Sequence, residues 1–323
     1  MAKKRKKFFE QEELLPFDFL PESTPNGISI TLDPLRYPIW TENKARLIEH
    51  YLYLFVQITK HGTYIDGFAG PQDLNKPELW PEMWAAKLVL ESEPKRLRHF
   101  YLFDKGRKQY KALKALEAEQ PIIDKKGKKI YREIVVKRGD FNVLVHELLS
   151  PRPIRETEAT FCLLDQRTFE CHWKTVEALA KYKKEGRKIE LFYFLAIAWL
   201  DRALAAQKKT KVIEDWWGRH DWPNLREMGT QVRVNTFTDR FKDELGYKWV
   251  MAWPIFKRQN TGNIMYYMIH ATDHPAAPQL MHRAYHESVK PKAPPKEVQM
   301  ELAGLIEEYG EEDPEGFNGK QDE

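Results

Sequence analysis

The sequence predicts an α/β protein built on a doubly wound, mostly parallel, seven-stranded sheet that ends in an antiparallel hairpin. Three observations carry that prediction. Between Thr63 and Ala196, apolar runs rich in β-branched and aromatic residues alternate with helical patterns, the rhythm of βαβ units joined by right-handed crossovers. The first four of these runs end at Asp66, Asp104, Asp140 and Asp165. Two later runs, Lys248–Phe256 and Ile264–His270, are separated by a polar loop with Asn260, Gly262 and Asn263. That loop is too short for a crossover helix, so the two runs pair antiparallel.

In chain order, residues 1–37 carry Pro16, Pro21, Pro25, Pro34 and Gly27 without a sustained period, and read as an N-terminal arm that is partly disordered. Thr41 is the expected N-cap of a helix with Glu42 in its first turn, and Leu47, Ile48, Tyr51, Leu54, Phe55 and Ile58 form its apolar stripe. The run Thr63–Asp66 is a buried strand that opens into Gly67-Phe68-Ala69-Gly70-Pro71-Gln72. A helix is expected over Glu78–Glu91, with Trp80, Met83, Trp84, Leu88 and Val89. Arg98–Asp104, Glu133–Asp140 and Ala159–Asp165 are the next strands, with amphipathic helices over Lys108–Gln120, Val143–Leu149 and Trp173–Lys184 between or after them. Ile189–Ala196 is apolar throughout, as a strand covered on both faces must be. The segment 198–245 reads as a helical cap inserted into one domain spanning 38–290, and 291–323 as a C-terminal helix and acidic tail.

Composition narrows the functional classes. The net charge of +4 is mild, but Lys3-Lys4-Arg5-Lys6-Lys7 is a basic run and the stretch from Glu307 to Glu323 is acidic. Neither end has the apolar core of a signal peptide, and no apolar run approaches the ~20 residues of a membrane span, so a cytoplasmic location without membrane association is expected. Cys162 and Cys171 are too few for a disulfide framework or a cysteine-rich zinc site.

Ligands of open α/β sheets sit outside the carboxyl ends of the strands, which is where the four aspartates fall. Gly67 and Gly70 allow close backbone approach to a ligand there. A nicotinamide site fits less well: no G-x-G-x-x-G is present, and Asp104 lies 38 positions beyond Asp66 against roughly 20 in that fingerprint. A nucleotide-triphosphate loop, G-x-x-x-x-G-K-[ST], is also missing. Parallel units closed by an antiparallel hairpin resemble instead the Rossmann-like sheet of class I S-adenosylmethionine-dependent methyltransferases. Around such a ligand, Asp66 with Gly67, Phe68 and Gly70 is expected near the amino-acid part. Asp104 is expected at the ribose hydroxyls, Asp140 with Phe141 at the adenine, and Asp165 facing the transferred methyl.

Several runs are similar to the three-Cys-motif partner protein family: Trp40-Thr41-Glu42-Asn43-Lys44, Ile65-Asp66-Gly67-Phe68-Ala69-Gly70-Pro71, Leu164-Asp165-Gln166-Arg167-Thr168-Phe169-Glu170-Cys171, Trp216-Trp217-Gly218 and Ala271-Thr272-Asp273-His274-Pro275. The resemblance extends from about Tyr37 to Tyr285. It implies a methyltransferase-like fold encoded beside a radical-enzyme-like protein with three clustered cysteines. Gln72 stands where related loops carry a glycine after the proline. The Asp165 turn also lacks the two prolines of amino-methyltransferases that act on bases.

Arg167 is read either as a bidentate holder of phosphate or carboxylate or as the partner of Glu170. Cys162 reads as core and Cys171 as a weak nucleophile candidate. His270 with His274, and His282 with His286, have a metal-compatible spacing without an evident third ligand, so no metal is assigned. Trp216 and Trp217, with Arg219 beside them, are candidate acceptor-binding residues in a surrounding that includes Arg202, Lys208, Lys209 and Lys211. The reading is a methyltransferase using S-adenosylmethionine on a nucleic-acid base or ribose, with catalytic residues Asp165 and Arg167. The rival is a non-catalytic protein of the same fold that binds a three-Cys partner enzyme or nucleic acid.

Overall fold

The computed structural model describes residues 39–40, 43–72, 74–75, 83–124, 126–205, 210–256 and 264–288. The basic run Lys3–Lys7, Thr41, Trp80, Lys208, Lys209, the hairpin loop and the acidic tail lie outside them. The strands are β1 (Ile39–Trp40), β2 (Gly62–Asp66), β3 (Leu97–Asp104), β4 (Glu133–Arg138), β5 (Thr160–Leu164), β6 (Glu190–Leu195), β7 (Trp249–Phe256) and β8 (Ile264–Thr272). They form one sheet in the order β1-β7-β8-β6-β5-β2-β3-β4. Only β8 runs antiparallel, against both β6 and β7. Counted from β2 and read from the β4 edge, the order is 3-2-1-4-5-7-6, that of the Rossmann-like class I methyltransferase fold.

One strand was not foreseen. Ile39 and Trp40 pair in parallel with Ile255 and Phe256, adding β1 outside β7. Two apolar residues carry too little pattern to read as a strand, yet they cover an edge that would otherwise leave its backbone groups unpaired.

The helices are α1 (Lys44–Thr59), α2 (Ala85–Glu91), α3 (Arg107–Ala118), α4 (Phe141–Leu149), α5 (Trp173–Ala180), α6 (Ile197–Ala205), α7 (Thr210–Trp217), α8 (Thr230–Asp243) and α9 (Ala277–Glu287). Asn43 is the residue flanking the start of α1. One core cluster joins α1, α2, α3 and α9 to one face of the sheet, and the other joins α4 to α8 to the opposite face. The described residues of the 198–245 segment (198–205 and 210–245) are mostly helical, and they pack on a face of the sheet, over β7 and β8, instead of over its edge. Trp216, Val234, Phe237 and Phe241 are fully buried, and those side chains fix the segment there.

Candidate functional site

The carboxyl ends of β2, β3, β4 and β5 open into a cleft enclosing about 750 Å³, solvent at its mouth included. Its lining includes Gly67, Phe68, Gly70, Gln72, Asp104, Lys105, Gly106, Gln109, Gly139, Asp140, Phe141, Asp165, Arg167 and Glu170. The cleft lies where β2 and β5 adjoin, the point at which the strand order reverses and where open α/β sheets bind ligands.

The glycines set the shape of its floor. A Cβ on Gly67 would lie 2.6 Å from the ring of Phe141, and one on Gly70 would lie 2.3 Å from Cβ of Gln109 and 2.6 Å from Asp104 Oδ2. Both are closer than a real side chain permits, so the backbone can follow this path only with glycine there.

Asp104 ties two loops together. Its Oδ2 accepts from the Gly70 amide at 3.1 Å and its Oδ1 from the Gly106 amide at 2.8 Å. Asp140 caps α4 through Asn142 N at 2.9 Å. Asn142 in turn donates to Glu170 O and accepts from His172 N and Thr175 Oγ1, each at 2.8 Å, which fastens the start of α4 to the loop after β5. The Phe141 ring is buried 5.1 Å from that of Phe103 and 6.2 Å from that of Phe68.

Asp66 is placed differently from the other three aspartates. It is 1% exposed and does not line the cleft. Its Oδ2 accepts from Tyr64 Oη at 2.9 Å and its Oδ1 from the Phe68 amide at 3.0 Å, so it holds the glycine loop from behind. Burial raises its carboxyl to about 7, against the lowering effect of those two bonds, and the charges of Asp165 and Asp104 add to the rise.

Asp165 is 8% exposed, and both of its oxygens are engaged. Lys44 Nζ, from the first position of α1, donates to Oδ1 at 2.6 Å. Gln72 Nε2 donates to Oδ2 at 3.0 Å. The Lys44 ammonium also lies 4.7 Å from the centre of the Phe194 ring and 5.1 Å from that of Tyr266, two rings whose negative faces suit a cation. Trp199 packs 5.2 Å from Tyr266 and extends this aromatic wall. Arg167 donates to the carbonyl of Gln72 at 2.8 Å, while Glu170 accepts from the Thr168 amide at 2.7 Å, so each has a backbone partner.

Other sequence candidates lie elsewhere. Trp216 and Trp217 are buried and pack on Phe237 at 4.9 and 5.1 Å, so the structure does not bring their faces to the cleft. Arg219 pairs with Glu244 at 2.9 Å. Cys162 and Cys171 are buried, and burial pushes both thiols well above their usual range. That disfavours the thiolate a nucleophile requires. His270 Nε2 donates to Glu190 Oε1 at 2.7 Å, inside a network with Tyr51 and Thr272. His282 and His286 face each other on α9 with Nε2 atoms 3.2 Å apart. Among the described residues, no group of three or more His, Cys, Asp or Glu could hold a metal ion, and no helix is long and apolar enough to cross a membrane.

Sequence reasoning missed Lys44, Lys105, Gln109, Gly139, Phe194 and Tyr266. A signal existed for Lys44: a basic residue at the first position of a helix opposes the helix dipole and calls for an anionic partner.

Four carboxylates, Asp104, Asp140, Asp165 and Glu170, against the cations of Lys105, Arg167 and the Lys44 paired with Asp165 leave a small negative excess suited to a ligand carrying positive charge. A pyrophosphate would meet repulsion at the same place.

No family model and no curated protein matches this chain. Among solved structures it is similar to TYW2 from M. jannaschii in complex with AdoMet, at 10% identity and a TM-score of 0.33, over 70% of this chain and 75% of that one. It is also similar to protein LPL1258 from Legionella pneumophila str. Philadelphia 1, family DUF519, at 11% identity and a TM-score of 0.39, over 82% of this chain and 92% of that one. The fold assignment rests on the strand order itself.

Proposed function

We propose that the cleft binds S-adenosylmethionine and that the protein transfers its methyl group to a nucleic-acid base or ribose. The observation that carries this reading is the convergence of the close-packed Gly67–Gly70 loop with Asp104, Asp140 and Asp165 at the switch point of a 3-2-1-4-5-7-6 sheet. The residues present fit the ligand's chemistry. Asp104 supplies an acceptor for ribose hydroxyls, Asp140 for an exocyclic amine, and Phe141 an apolar wall for the base. The glycine loop with Phe68 leaves room for the amino-acid part, and the excess of carboxylates suits a sulfonium and an ammonium. When bound, the cofactor would supply an electrophilic methyl group. The protein's own task is then to hold an acceptor in line and close by. Asp165, in the cleft lining, would face the acceptor, and Arg167 at the exposed rim suits an acceptor phosphate.

One observation favours a second reading. Lys44 and Gln72 each engage one oxygen of Asp165, and the Lys44 ammonium compensates its charge, so the group assigned to the transfer step already serves in a buried ion pair. That arrangement suits a non-catalytic protein that retains the ligand and acts by binding a partner. The resemblance in sequence points to a radical-enzyme-like protein with three clustered cysteines as that partner.

Titration calorimetry with S-adenosylmethionine and its demethylated product tests the ligand, and labelled cofactor offered to total cellular nucleic acid and protein tests the transfer. Asp104→Ala is expected to weaken binding by about 1–3 kcal/mol through loss of charge-assisted bonds. Asp165→Ala is expected to keep affinity within about 1 kcal/mol while abolishing label transfer. No heat with the wild type would sink the cofactor assignment; binding without label transfer to any acceptor would favour the partner-binding reading.

A further inference from the structure

We infer that the outer face of α3 and the hairpin that follows it form the surface that receives a single-stranded nucleic acid and leads it to the cleft. The inference rests on the nucleic-acid reading above and gives it a location.

The charge distribution is the first observation. Between Lys105 and Arg132 the chain carries ten Lys or Arg against three acids, more net positive charge than the +4 of the whole protein. One of the ten turns inward: Arg132 donates to the carbonyls of Leu90 and Leu97 and lies over the Phe100 ring. Lys114 is paired with Glu117. The side chains of Arg107, Lys108, Lys111, Lys126, Lys128 and Lys129 are exposed, and only Lys126 and Lys128, which feel the charge of Asp124, have an acidic partner among the described residues. In α3 only Leu113 and Leu116 are buried, so the rest of its circumference faces solvent or lies near it.

The second observation is continuity with the cleft. Lys105, Gly106 and Gln109, at the head of α3, line the cleft itself. From there the twelve residues of α3 extend about 18 Å, at 1.5 Å per residue, to the hairpin. A strand lying along this ridge has its end at the carboxylates of the site.

The third observation is that the hairpin is built to present its side chains. Asp124 Oδ1 accepts from the amides of Lys126 and Lys128, both at 2.8 Å, and the Asp124 amide donates to Lys128 O at 2.8 Å. Gly127 turns the chain with φ 78°, where other residues are strained. The Ile130 amide donates to Ile122 O at 2.9 Å and closes the pair. Beside the lysines stand Ile122, Ile123 and Tyr131, exposed by 75%, 54% and 58%. Lys129 Nζ lies 5.2 Å from the centre of the Tyr131 ring. Cations interleaved with an exposed aromatic ring suit phosphates and unstacked bases together. The basic residues near α7 are less available, because Lys211 pairs with Asp215 and Arg219 with Glu244.

The test uses the full chain and a labelled 20-nucleotide RNA, the matching single-stranded DNA and the duplex, read by fluorescence anisotropy across a salt series. Two double variants, Lys108→Glu with Lys111→Glu and Lys126→Glu with Lys128→Glu, lie outside the cleft lining. Their combination is expected to weaken single-strand binding at least tenfold at 0.1 M salt. It should reduce the slope of log K against log salt by about 2–3, at roughly 0.7 per phosphate contact on a single strand. Tyr131→Ala is expected to weaken single-strand binding severalfold with the slope unchanged. A neutral Tyr131→Ala, or a duplex bound more tightly than either single strand, overturns the single-strand assignment; RNA against DNA preference distinguishes the two sources of the same chemistry.

Unchanged binding in the combined variant, with the loss appearing only when residues 1–10 are deleted, overturns the location. Displacement of RNA by polyglutamate at equal charge concentration overturns it in favour of an acidic protein partner. Calorimetry with S-adenosylmethionine on the same variants separates this inference from the one beneath it. Cofactor binding with unaltered RNA affinity defeats the ridge alone, and a ridge-dependent RNA affinity in a protein that takes no cofactor defeats methyl transfer alone.

Discussion

Replacing Asp66 with asparagine should stabilise the protein at alkaline pH and do little in acid. The carboxyl sits behind the glycine loop with Tyr64 and the Phe68 amide as its partners. Burial holds its proton up to about pH 7, whereas the unfolded chain releases it near the ordinary value of 3.8. Below 3.8 both states are protonated and the group is neutral to stability. As pH rises from about 4 to 7 the unfolded chain ionises in water while the folded protein resists, so stability falls across that window and levels off above it. About three pH units at 1.36 kcal/mol each sets an upper bound of about 4 kcal/mol, and relaxation around the site makes about 1–3 kcal/mol the working expectation.

Asparagine keeps the shape and lacks the ionisation. Its oxygen still accepts from Phe68 N, and the Tyr64 hydroxyl can rotate to accept from the new amide group. Urea unfolding of wild type and Asp66→Asn at pH 5 and pH 8.5 measures the effect. The gap between them should widen by about 1–3 kcal/mol toward the higher pH, in favour of the variant. Parallel curves, or a variant that loses ground at pH 8.5, would mean that the folded protein holds Asp66 ionised and that burial does not govern it.

Gly70→Ala places a Cβ 2.3 Å from Gln109 and 2.6 Å from the Asp104 oxygen that receives the Gly70 amide. The loop must shift, at a cost of about 1–3 kcal/mol. A drop in Tm accompanied by loss of calorimetric heat with S-adenosylmethionine is the expected result; an unchanged Tm would refute the close packing. His99 and Glu158 give a second pH signature. The 2.8 Å bond to Glu158 raises His99, while Glu158, which burial alone would raise, is held below its usual range by His99 and Thr63. The contribution of Glu158 is present above about 4.5 and lost as pH falls, and that of His99 is present below about 6.5 and lost as pH rises through its raised value. His99→Gln should therefore lower the urea midpoint at pH 5.5 and have a smaller effect at pH 8.5. Equal losses at both would rule out the ionic part of the pair.

The strand ends were readable because two local signals coincide at each of them. An apolar, β-branched or aromatic run stops, and an aspartate followed by a loop or a helix start takes over. The structure starts the cleft within two residues of β2, β3, β4 and β5 for that reason. The burial of Asp66 was readable in principle as well. A strand alternates faces with period two, so Tyr64 and Asp66 share a face, and a tyrosine hydroxyl two residues before a carboxylate supplies a partner without any ligand. Trp216 and Trp217 misled because aromatic side chains at helical spacing look alike whether they stack a substrate or fill a core. Only the meeting of α7 with α8, which brings in Phe237, decides between the two.

Contacts across long sequence separations left no such trace. Lys44 reaches Asp165 across 121 positions, and Gln72 reaches it across 93. Neither pairing can be inferred from spacing, because α1 and the loop after β2 meet β5 only once the sheet has formed. Net charge hides information in the same way. A total of +4 is nearly featureless, yet it contains an acidic cleft and a strongly basic α3 and hairpin, adjoining at Lys105. Lysines repel one another along α3, carboxylates repel one another in the cleft, and the charges of Asp165 and Asp104 add to the rise of the Asp66 carboxyl behind it. Each cluster costs stability in the folded state, and placing the two side by side offsets part of that cost by attraction between them. A cationic ligand in the cleft and an anionic strand on the ridge would relieve the repulsion within each cluster separately. Occupying either one should then raise Tm, most strongly at low ionic strength.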